Sequence, residues 1–241
     1  MKVLILGAGG PVAACGIAEI EGRHELRLAD LRPLESDEHE TVQVDVSEPQ
    51  QVIDAAEGME AIINCAVMRP HPTLAWDVNL RGAFNALKAA AHHGIKRFIH
   101  TGPIAMWGGS PGSYLYDFDV DEACPHRPGT SLYFITKYLG LETCKVFADR
   151  YGIQVVAFHY NGFGPRHGSS PGASPFVAHP DDVGQAFRLG LEVESLPSNF
   201  ELFHISSHYI HGQFPTTKAE ELLGFVPRHD FSTFYKRVQE D

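Results

Sequence analysis

The chain has 241 residues, of which 44% are apolar and 20% are charged, and its formal net charge at pH 7 is −11. This length and composition are typical of one ordinary globular domain. The negative charge argues against a broad nucleic-acid or anionic-lipid surface, and no apolar run reaches the roughly 20 residues that a membrane span needs.

The first residues and the cysteines favour the cytoplasm. After Met1-Lys2 the chain enters the apolar run 3–6, which predicts a core strand rather than a signal peptide. The four cysteines lie far apart and lack the spacing of metal ligands; they are Cys15, Cys65, Cys124 and Cys144. We interpret them as free thiols, with Cys15 and Cys65 in apolar surroundings.

Strand-like and helix-like segments alternate through the first two thirds of the chain. The predicted strands are Lys2–Leu6, Leu26–Asp30, Val42–Val46, Ala61–Cys65, Arg97–Thr101 and Gln154–His159. The predicted helices are Pro11–Ile20, Pro49–Glu57, Trp76–His93 and Ser131–Arg150. This alternation predicts the α/β class, with a doubly wound parallel sheet of the Rossmann type.

The remaining segments predict loops and a small cap. The stretch Gly108–Gly129 is rich in Gly, Pro and acidic residues and is typical of a long surface loop. From about Asn161 the pattern becomes irregular. We therefore expect a single domain over residues 1–241, with a nucleotide-binding core in 1–160 and a small substrate cap in 161–241 that is interleaved with the core.

A glycine-rich segment joins the first strand to the first helix. Its residues are Gly7, Ala8, Gly9, Gly10 and Pro11. Glycines at this point allow a tight turn and a close approach of the backbone to a pyrophosphate, which the amides of the helix N-terminus then face. Proline suits the first helical position. The placement between a strand and a helix predicts a dinucleotide site.

An acidic residue follows at the end of the second strand. Asp30 lies about 20 residues after the glycines, where a carboxylate can accept the ribose hydroxyls of NAD and repel the 2′-phosphate of NADP. We therefore predict NAD, with NADP disfavoured; the alternative is that Asp30 is only a turn residue. Arg32 could instead meet a phosphate or stack on adenine. Asp45 and Val46 could contact adenine, although Asp is also common at strand ends.

Tyr133 and Lys137 form a candidate catalytic pair. Residues four apart share one helical face, so the phenol and the ammonium can point into the same cleft. A free tyrosine has a pKa near ~10, and acid–base work near neutrality requires lowering it by roughly two to three units. A neighbouring lysine and a positive nicotinamide ring can supply this. The same spacing also arises by chance on helices.

These residues together resemble the extended short-chain dehydrogenases, also called the NAD-dependent epimerase/dehydratase family. The resemblance rests first on Gly7-x-x-Gly10-x-x-Ala13, Asp30, Asn79 and Tyr133-x-x-x-Lys137. Further matches are the fifth strand Arg97–Thr101, the N-x-x-G-P-R segment 161–166 and the L-G-x-x-P segment at 223–227. The segment 179–182 resembles the family's H-x-x-D, which opens a late helix. The resemblance covers nearly the whole chain in order.

The resemblance implies an NAD-dependent enzyme. Its cofactor residues here would be Gly7, Gly9, Gly10, Pro11, Asp30, Arg32, Asp45, Val46, Cys65, Ala66, Asn79, Tyr133 and Lys137. Family members commonly pair two long helices across a dimer interface, so a homodimer is expected through Trp76–His93 and Ser131–Arg150. Lys137 would hold the ribose, and Tyr133 would exchange a proton with the substrate hydroxyl.

One position departs from the family pattern. In the family, the fifth strand runs into a serine pair whose second member hydrogen-bonds the substrate oxygen. Pro103 falls on that position here, and proline has neither a hydroxyl nor an amide donor. Thr101, two residues upstream on the same strand face, is the candidate replacement. Tyr133 acting with a different partner is the alternative.

The resemblance also bears on the substrate. Sugar-nucleotide enzymes of the family insert a long segment after N-x-x-G-P-R, whereas only about a dozen residues separate Arg166 from His179 here. This favours a small substrate, as in shorter members such as the uronate dehydrogenases. The candidate pocket residues are Arg69, His71, Trp107, Asn161, Phe163 and Arg166. Arg69 and Arg166 could clamp a carboxylate, or could be ordinary surface arginines.

Three functions remain open from the sequence. The first is a dehydrogenase of a small sugar, sugar acid or other hydroxy or carbonyl compound. The second is an epimerase or dehydratase that retains its NAD, and the third is a non-catalytic NAD-binding protein, which Pro103 motivates. No metal is expected at His204, His208 and His211, because His208 and His211 lie in a turn-like stretch with no periodic face. The three are more typical of scattered surface histidines.

Overall fold

The computed structural model describes residues 1–69, 71–104, 114, 117–160, 162, 177–208 and 212–231. Its strands are β1 (Lys2–Leu6), β2 (Glu25–Asp30), β3 (Glu40–Gln43), β4 (Ala61–Asn64), β5 (Arg97–Pro103), β6 (Gln154–Tyr160) and β7 (Phe200–His204). Its α-helices are α1 (Pro11–Ile20), α2 (Pro49–Ala55), α3 (Pro72–Ala75), α4 (Gly82–His93), α5 (Leu132–Tyr151), α6 (Pro180–Glu192) and α7 (Thr217–Leu223). A π-helix, Trp76–Arg81, joins α3 to α4.

The strands form one parallel sheet in the order β3-β2-β1-β4-β5-β6-β7. The chain moves outward from β1 to β3 and then returns to the other side of β1 with β4. The strand order therefore reverses between β1 and β4. In sheets of this kind a crevice opens at the carboxyl ends of the strands at this reversal, and ligands bind there. The fold class predicted from the sequence is confirmed.

Both faces of the sheet are covered by helices. Val3 and Ile5 of β1 pack into one buried cluster with side chains from α1, α6 and α7. Leu4 and Leu6 of the same strand pack into a second cluster with α2, α4 and α5. Because successive strand residues point to opposite faces, burial on both faces explains why β1 is a continuous apolar run.

Several element boundaries differ from the predicted ones. The third strand was predicted at Val42–Val46, whereas β3 spans Glu40–Gln43 and Val44 and Val46 are buried beyond its end. The apolar residues there signal burial, not strand pairing. The predicted helix Trp76–His93 is helical throughout, but it starts earlier and its first part is π-helical.

The late helix expected from the H-x-x-D segment is present as α6, whereas the expectation that the chain after Asn161 contains only loops and short helices is wrong for β7. β7 is the seventh strand of the central sheet, and it pairs with β6 from Val155↔Phe200 to His159↔His204. α6 packs closely on α1, where a Cβ added to Gly184 would lie 2.6 Å from the Cys15 carbonyl oxygen. These contacts are long-range, so the local sequence pattern did not reveal them.

Two simpler expectations can be compared directly with the structure. None of the four cysteines is in a disulfide, and Cys15, Cys65 and Cys144 are buried, as the apolar surroundings of the first two predicted. Within the described residues, no helix is long and apolar enough to cross a membrane.

Candidate active site

The glycine segment makes a tight turn from β1 into α1. Gly7 has a φ of +77°, and a Cβ at this position would lie 2.7 Å from the Cα and N atoms of Ala66. Only glycine can combine this backbone conformation with so close an approach. Gly10 is the N-cap of α1 and makes no side-chain cap, and Pro11 occupies the first turn. The first amides of α1 are thus left for another acceptor.

Beside this turn lies a cavity of about 310 Å³, here called the Asp30 cleft. Its walls include eight of the predicted cofactor residues: Gly7, Gly10, Asp30, Arg32, Asp45, Val46, Cys65 and Ala66. Leu31, Val44, Val67, Met68 and Val78 complete the walls. The cleft lies at the carboxyl ends of β1, β2 and β4, where the sheet order places a ligand site.

The Asp30 carboxylate is oriented by two backbone amides. Its Oδ2 accepts a hydrogen bond from the Gly9 amide at 3.0 Å, and its Oδ1 accepts one from the Arg32 amide at 3.2 Å. Each oxygen retains a further lone pair directed away from these amides. The residue therefore does form a turn, and it also presents a fixed acceptor to the cleft.

Asp45 has a local structural partner. Its Oδ1 accepts hydrogen bonds from the amide and the hydroxyl of Ser47 at 2.9 and 2.7 Å. The carbonyl of Val46 accepts from the Asn85 side chain at 2.9 Å. These bonds fix the segment after β3 as one wall of the Asp30 cleft.

A second cavity, of about 390 Å³, contains the predicted catalytic pair and is here called the Tyr133 cleft. Its described walls are Val12, Cys65, Val67, Arg69, Thr101, Gly102, Pro103, Tyr133, Phe134, Lys137, Tyr160 and Gly162. Cys65 and Val67 line both cavities, so the two clefts adjoin. The arrangement can hold an elongated ligand in the first cleft with its end beside Tyr133.

Lys137 is buried at the inner end of the Tyr133 cleft, with only 2% of its surface exposed. Burial lowers its pKa to about 8, and the positive charge of Arg69 acts in the same direction. No carboxylate among the described residues forms an ion pair with it. Burial also raises the pKa of the neighbouring Cys65 thiol to about 12, which keeps that thiol neutral.

Tyr133 is half-buried in the cleft wall. The guanidinium of Arg69 lies 5.5 Å from the centroid of its ring. Tyr133 and Lys137 are four residues apart in α5, so one helical face directs both toward the cleft.

Thr101 and Pro103 both line the Tyr133 cleft on the β5 side. The Thr101 hydroxyl donates to the Asn64 carbonyl at 3.1 Å, so its proton is already used within the protein. Between them, Gly102 packs against β6, and a Cβ there would lie 2.5 Å from His159 Nε2. The wall therefore offers a substrate no serine hydroxyl at the position where the family has one.

Asn79 is buried in the π-helix and lies behind the two clefts. Its amide nitrogen donates to the Met68 carbonyl at 2.8 Å and to the Thr136 hydroxyl at 3.0 Å. Its oxygen accepts from the Met68 amide at 2.8 Å. Asn79 thus connects the segment after β4 to α5. It is not among the residues that line the Asp30 cleft or the Tyr133 cleft.

The predicted substrate residues are only partly brought together. Arg69 lines the Tyr133 cleft. His71 is exposed outside it and caps α3, where its Nδ1 accepts from the Leu74 amide at 3.2 Å. The other four predicted pocket residues lie outside the described part of the chain; they are Trp107, Asn161, Phe163 and Arg166.

Sequence reasoning missed several residues of this region. Val12, Phe134, Tyr160 and Gly162 line the Tyr133 cleft, and Phe134 could have been found from its place beside Tyr133. Tyr160 could not, because its approach to the site depends on the pairing of β5 with β6.

Buried histidines lie behind the cleft on adjacent strands. His100 and His159 are fully buried, and burial holds the pKa of each well below its usual value. His204 in β7 is also fully buried, with its pKa lowered by burial to about 3. The interpretation of His204 as a surface histidine is therefore wrong. His208 is exposed, and His211 lies outside the described residues.

Comparison with known proteins supports the resemblance inferred from these residues. A uronate dehydrogenase from Pseudomonas putida is 25% identical over 252 residues, which cover 99% of this chain and 88% of that protein. An NAD-dependent glucose-6-phosphate dehydrogenase from Haloferax volcanii is 24% identical over 254 residues, covering 96% of this chain and 95% of that protein. The solved structure of a uronate dehydrogenase from Agrobacterium tumefaciens shares the fold, with a TM-score of 0.84, 21% identity and coverage of 97% and 86% of the two chains.

A family model identifies the wider group. The model of the NAD dependent epimerase/dehydratase family matches residues 3–179, which include the glycine turn, Asp30, Tyr133 and Lys137. The family predicted from the sequence, and the use of NAD that it implies, are confirmed. The chain belongs to the NAD dependent epimerase/dehydratase family.

Proposed function

We propose that the protein is an NAD-dependent dehydrogenase that interconverts a hydroxyl and a carbonyl group on a small sugar acid. The observation that carries the proposal is the placement of Tyr133 and Lys137 in a cleft that adjoins the Asp30 cleft. A dinucleotide lying along the first cleft would bring its nicotinamide end to the side chains that can move a proton.

The residues present fit NAD. The missing Cβ of Gly7 leaves room where the backbone approaches Ala66, and the uncapped first turn of α1 offers amides to a pyrophosphate. Asp30 is fixed by two amides and would accept ribose hydroxyls, whereas a 2′-phosphate would meet its negative charge. This supports NAD over NADP.

The chain's own residues supply the acid–base chemistry. Bound NAD would supply the hydride acceptor for oxidation of the substrate carbon. Tyr133, as the phenolate, takes the proton of the substrate hydroxyl and returns it in the reverse direction. Lys137 remains charged near neutral pH, stabilises that phenolate, and would donate hydrogen bonds to the ribose.

The charge of the Tyr133 cleft supports an anionic substrate. Its described walls contain the two cations Arg69 and Lys137 and no carboxylate. The short separation between Arg166 and His179 leaves little chain for a nucleotide-binding lobe. Gly162 in the cleft wall supports a substrate-binding role for the chain after residue 160. The relatives named above act on a uronate and on glucose 6-phosphate, both of which are small anionic sugars.

The test is turnover with defined substrates. Purified protein would be mixed with NAD and with glucuronate, galacturonate, glucose 6-phosphate or glucose, and reduced nicotinamide would be followed by absorbance. We expect oxidation of an acid that is lost in Tyr133→Phe. NAD binding without net reduction, but with interconversion of sugar epimers, would instead support an epimerase. Binding without either reaction would favour a non-catalytic role and would contradict the proposal.

We also propose a homodimer through the π-helix, α4 and α5. Trp76 and Phe84 are 40% and 44% exposed, and Val146 and Tyr151 on α5 are 60% and 44% exposed. Large apolar side chains grouped on neighbouring helices favour burial against another surface. A monomer mass by light scattering at micromolar concentration would contradict this proposal. The cysteines form no disulfide, which favours a reducing compartment, and we propose the cytoplasm.

A further inference from the structure

Arg69 is a cation in the Tyr133 cleft whose placement needs an explanation. It follows β4 and is exposed, and its guanidinium lies 5.5 Å from the Tyr133 ring centroid. Among the described residues, no carboxylate forms an ion pair with it. An arginine that lies over a tyrosine ring and has no acidic partner within the described part of the chain keeps its charge available to that ring.

The backbone that carries Arg69 is held in place. Both polar backbone groups of Met68, the preceding residue, are bonded to the Asn79 side chain at 2.8 Å. Asn79 also donates to Thr136, which lies between Tyr133 and Lys137 in α5. The start of the Arg69 side chain is therefore fixed relative to the helix that carries the proposed acid–base pair.

Among the described residues on the β5 side of the cleft, no side chain offers a donor to a substrate oxygen. Pro103 has no donor, and the Thr101 hydroxyl donates to the Asn64 carbonyl. In the family, the serine expected at this position hydrogen-bonds the substrate oxygen. The tyrosine must lose its proton beside that oxygen. The described walls of the cleft contain two cations, Lys137 and Arg69. Lys137 has the proposed role of holding the cofactor ribose, and Arg69 does not.

We propose that Arg69 is a positioning residue that stabilises the phenolate form of Tyr133, and that it compensates for the serine hydroxyl missing at Pro103. The inference rests on the acid–base role given to Tyr133 in the proposed function. A phenolate ring is more negative than a phenol ring, so a guanidinium over its face binds the ionised form more strongly.

The first test measures Tyr133 directly and needs no substrate. The ultraviolet absorbance of tyrosinate would be titrated with pH in the otherwise unchanged protein and in Tyr133→Phe, and the difference between the curves isolates Tyr133. In an Arg69→Met background, we expect the midpoint of this difference titration to rise by about half a pH unit. Arg69→Lys should restore part of the shift, and high salt should reduce it because Arg69 is exposed.

Arg150→Met is the matched control. Arg150 lies 5.7 Å from the Tyr151 ring at the far end of the same helix, roughly 25 Å along the axis from Tyr133. It removes the same charge from a similar pair, and the Tyr133 midpoint should not move. An unchanged midpoint in Arg69→Met, or an equal shift in Arg150→Met, would overturn the proposal.

A second measurement separates this role from a clamp on the substrate. If Arg69 acts on Tyr133, Arg69→Met should shift the acid limb of the pH profile of kcat to higher pH. The shift should be similar for an anionic sugar and for its neutral analogue. If Arg69 only binds a carboxylate, KM for the acid should rise while the pH profile stays in place, which would contradict the proposal. Absence of turnover would count against the proposed function, and the titration would still decide the role of Arg69.

Discussion

Asn79 holds both backbone polar groups of Met68, each at 2.8 Å, and so ties the segment after β4 to the π-helix. The same amide reaches Thr136 in α5. A buried amide with three bonds to two other segments fixes their relative positions more strongly than packing alone. The walls that carry Arg69 and Tyr133 are therefore connected through one side chain.

Replacing Asn79 by alanine should reduce the rate as well as the stability. We expect kcat at saturating NAD to fall by about tenfold or more, because displacement of the reacting groups is costly, and the free energy of unfolding to fall by about 2 kcal/mol. Asn85→Ala is the control, since Asn85 is equally buried and donates to the Val46 carbonyl away from Tyr133. It should lose stability and keep kcat; a similar loss of kcat in both variants would contradict the role of Asn79.

Asp30→Ala should weaken the preference for NAD. Loss of a fixed carboxylate that accepts ribose hydroxyls is expected to raise the NAD dissociation constant by about tenfold or more, with a smaller change for NADP. Calorimetric titration with each cofactor measures both. Glu35→Ala removes an exposed carboxylate nearby and should leave both constants unchanged. Equal weakening of NAD and NADP by Asp30→Ala would show that Asp30 does not select between them.

Two glycines with similar backbone angles allow a paired test of the turn. Gly7 and Gly22 have φ of +77° and +75°, but a Cβ would meet Ala66 at 2.7 Å in the first case and nothing within 4 Å in the second. Gly22→Ala should cost about 1 kcal/mol through its left-handed conformation alone. Gly7→Ala should cost at least about 3 kcal/mol and abolish NAD binding. Equal losses of stability in denaturant would mean that the approach to Ala66 is not tight.

Lys137→Met should make the protein inactive and more stable. Burial lowers the pKa of Lys137 to about 8, so at pH 7 the folded protein holds a charged group that burial disfavours, at an order-of-magnitude cost of about 3 kcal/mol. Between pH 8 and the unfolded value near ~10.4, the unfolded chain binds more protons, so the stability of the unchanged protein should rise with pH. The gain from Lys137→Met should accordingly shrink over this range.

The Lys137 prediction is measured by chemical denaturation at several pH values. Lys145→Met is the control on the same helix, because Lys145 is only half-buried and pairs with Glu142 at 2.6 Å. The free energy of unfolding of the Lys145→Met variant should change by less than about 1 kcal/mol. A destabilised Lys137→Met variant would show that the lysine contributes to the fold through contacts other than its charge.

The buried histidines should make the fold sensitive to acid. Burial lowers the pKa of His100 and His159 well below the usual value and that of His204 to about 3. The folded protein keeps these histidines neutral, whereas the unfolded chain binds protons below about pH 6.5. The free energy of unfolding is therefore highest above that pH and decreases as the pH falls. Three such groups should lower the free energy of unfolding by about 4 kcal/mol for each pH unit below pH 6.

A variant isolates the contribution of one histidine to this slope. His100→Leu replaces the imidazole with an apolar side chain of similar size. It should reduce the slope of the free energy of unfolding against pH by about 1.4 kcal/mol per pH unit. His92→Gln, at an exposed position near the end of α4, should leave it unchanged. Thermal unfolding followed between pH 7 and pH 4 would show this. A slope unaffected by His100→Leu would mean that His100 is protonated in the folded protein.

The sequence alone determined the fold class, the family and two local pieces of the candidate site. The glycine turn with Pro11 and the Tyr133–Lys137 pair lie within single turns of the chain, so their geometry follows from local backbone rules. The position of Asp30 follows from its place at the end of β2. The absence of a serine at Pro103 was visible without a structure because the resemblance to the family aligns that position with a serine.

The tertiary structure decided which distant residues meet. The union of the Asp30 cleft with the Tyr133 cleft at Cys65 and Val67 depends on the order of the strands. The tie from Asn79 to Met68, the approach of Arg69 to Tyr133 and the membership of β7 in the sheet depend on packing between segments far apart in the chain. Periodicity reports only on neighbours a few residues away, whereas these contacts form because both faces of the sheet must be covered.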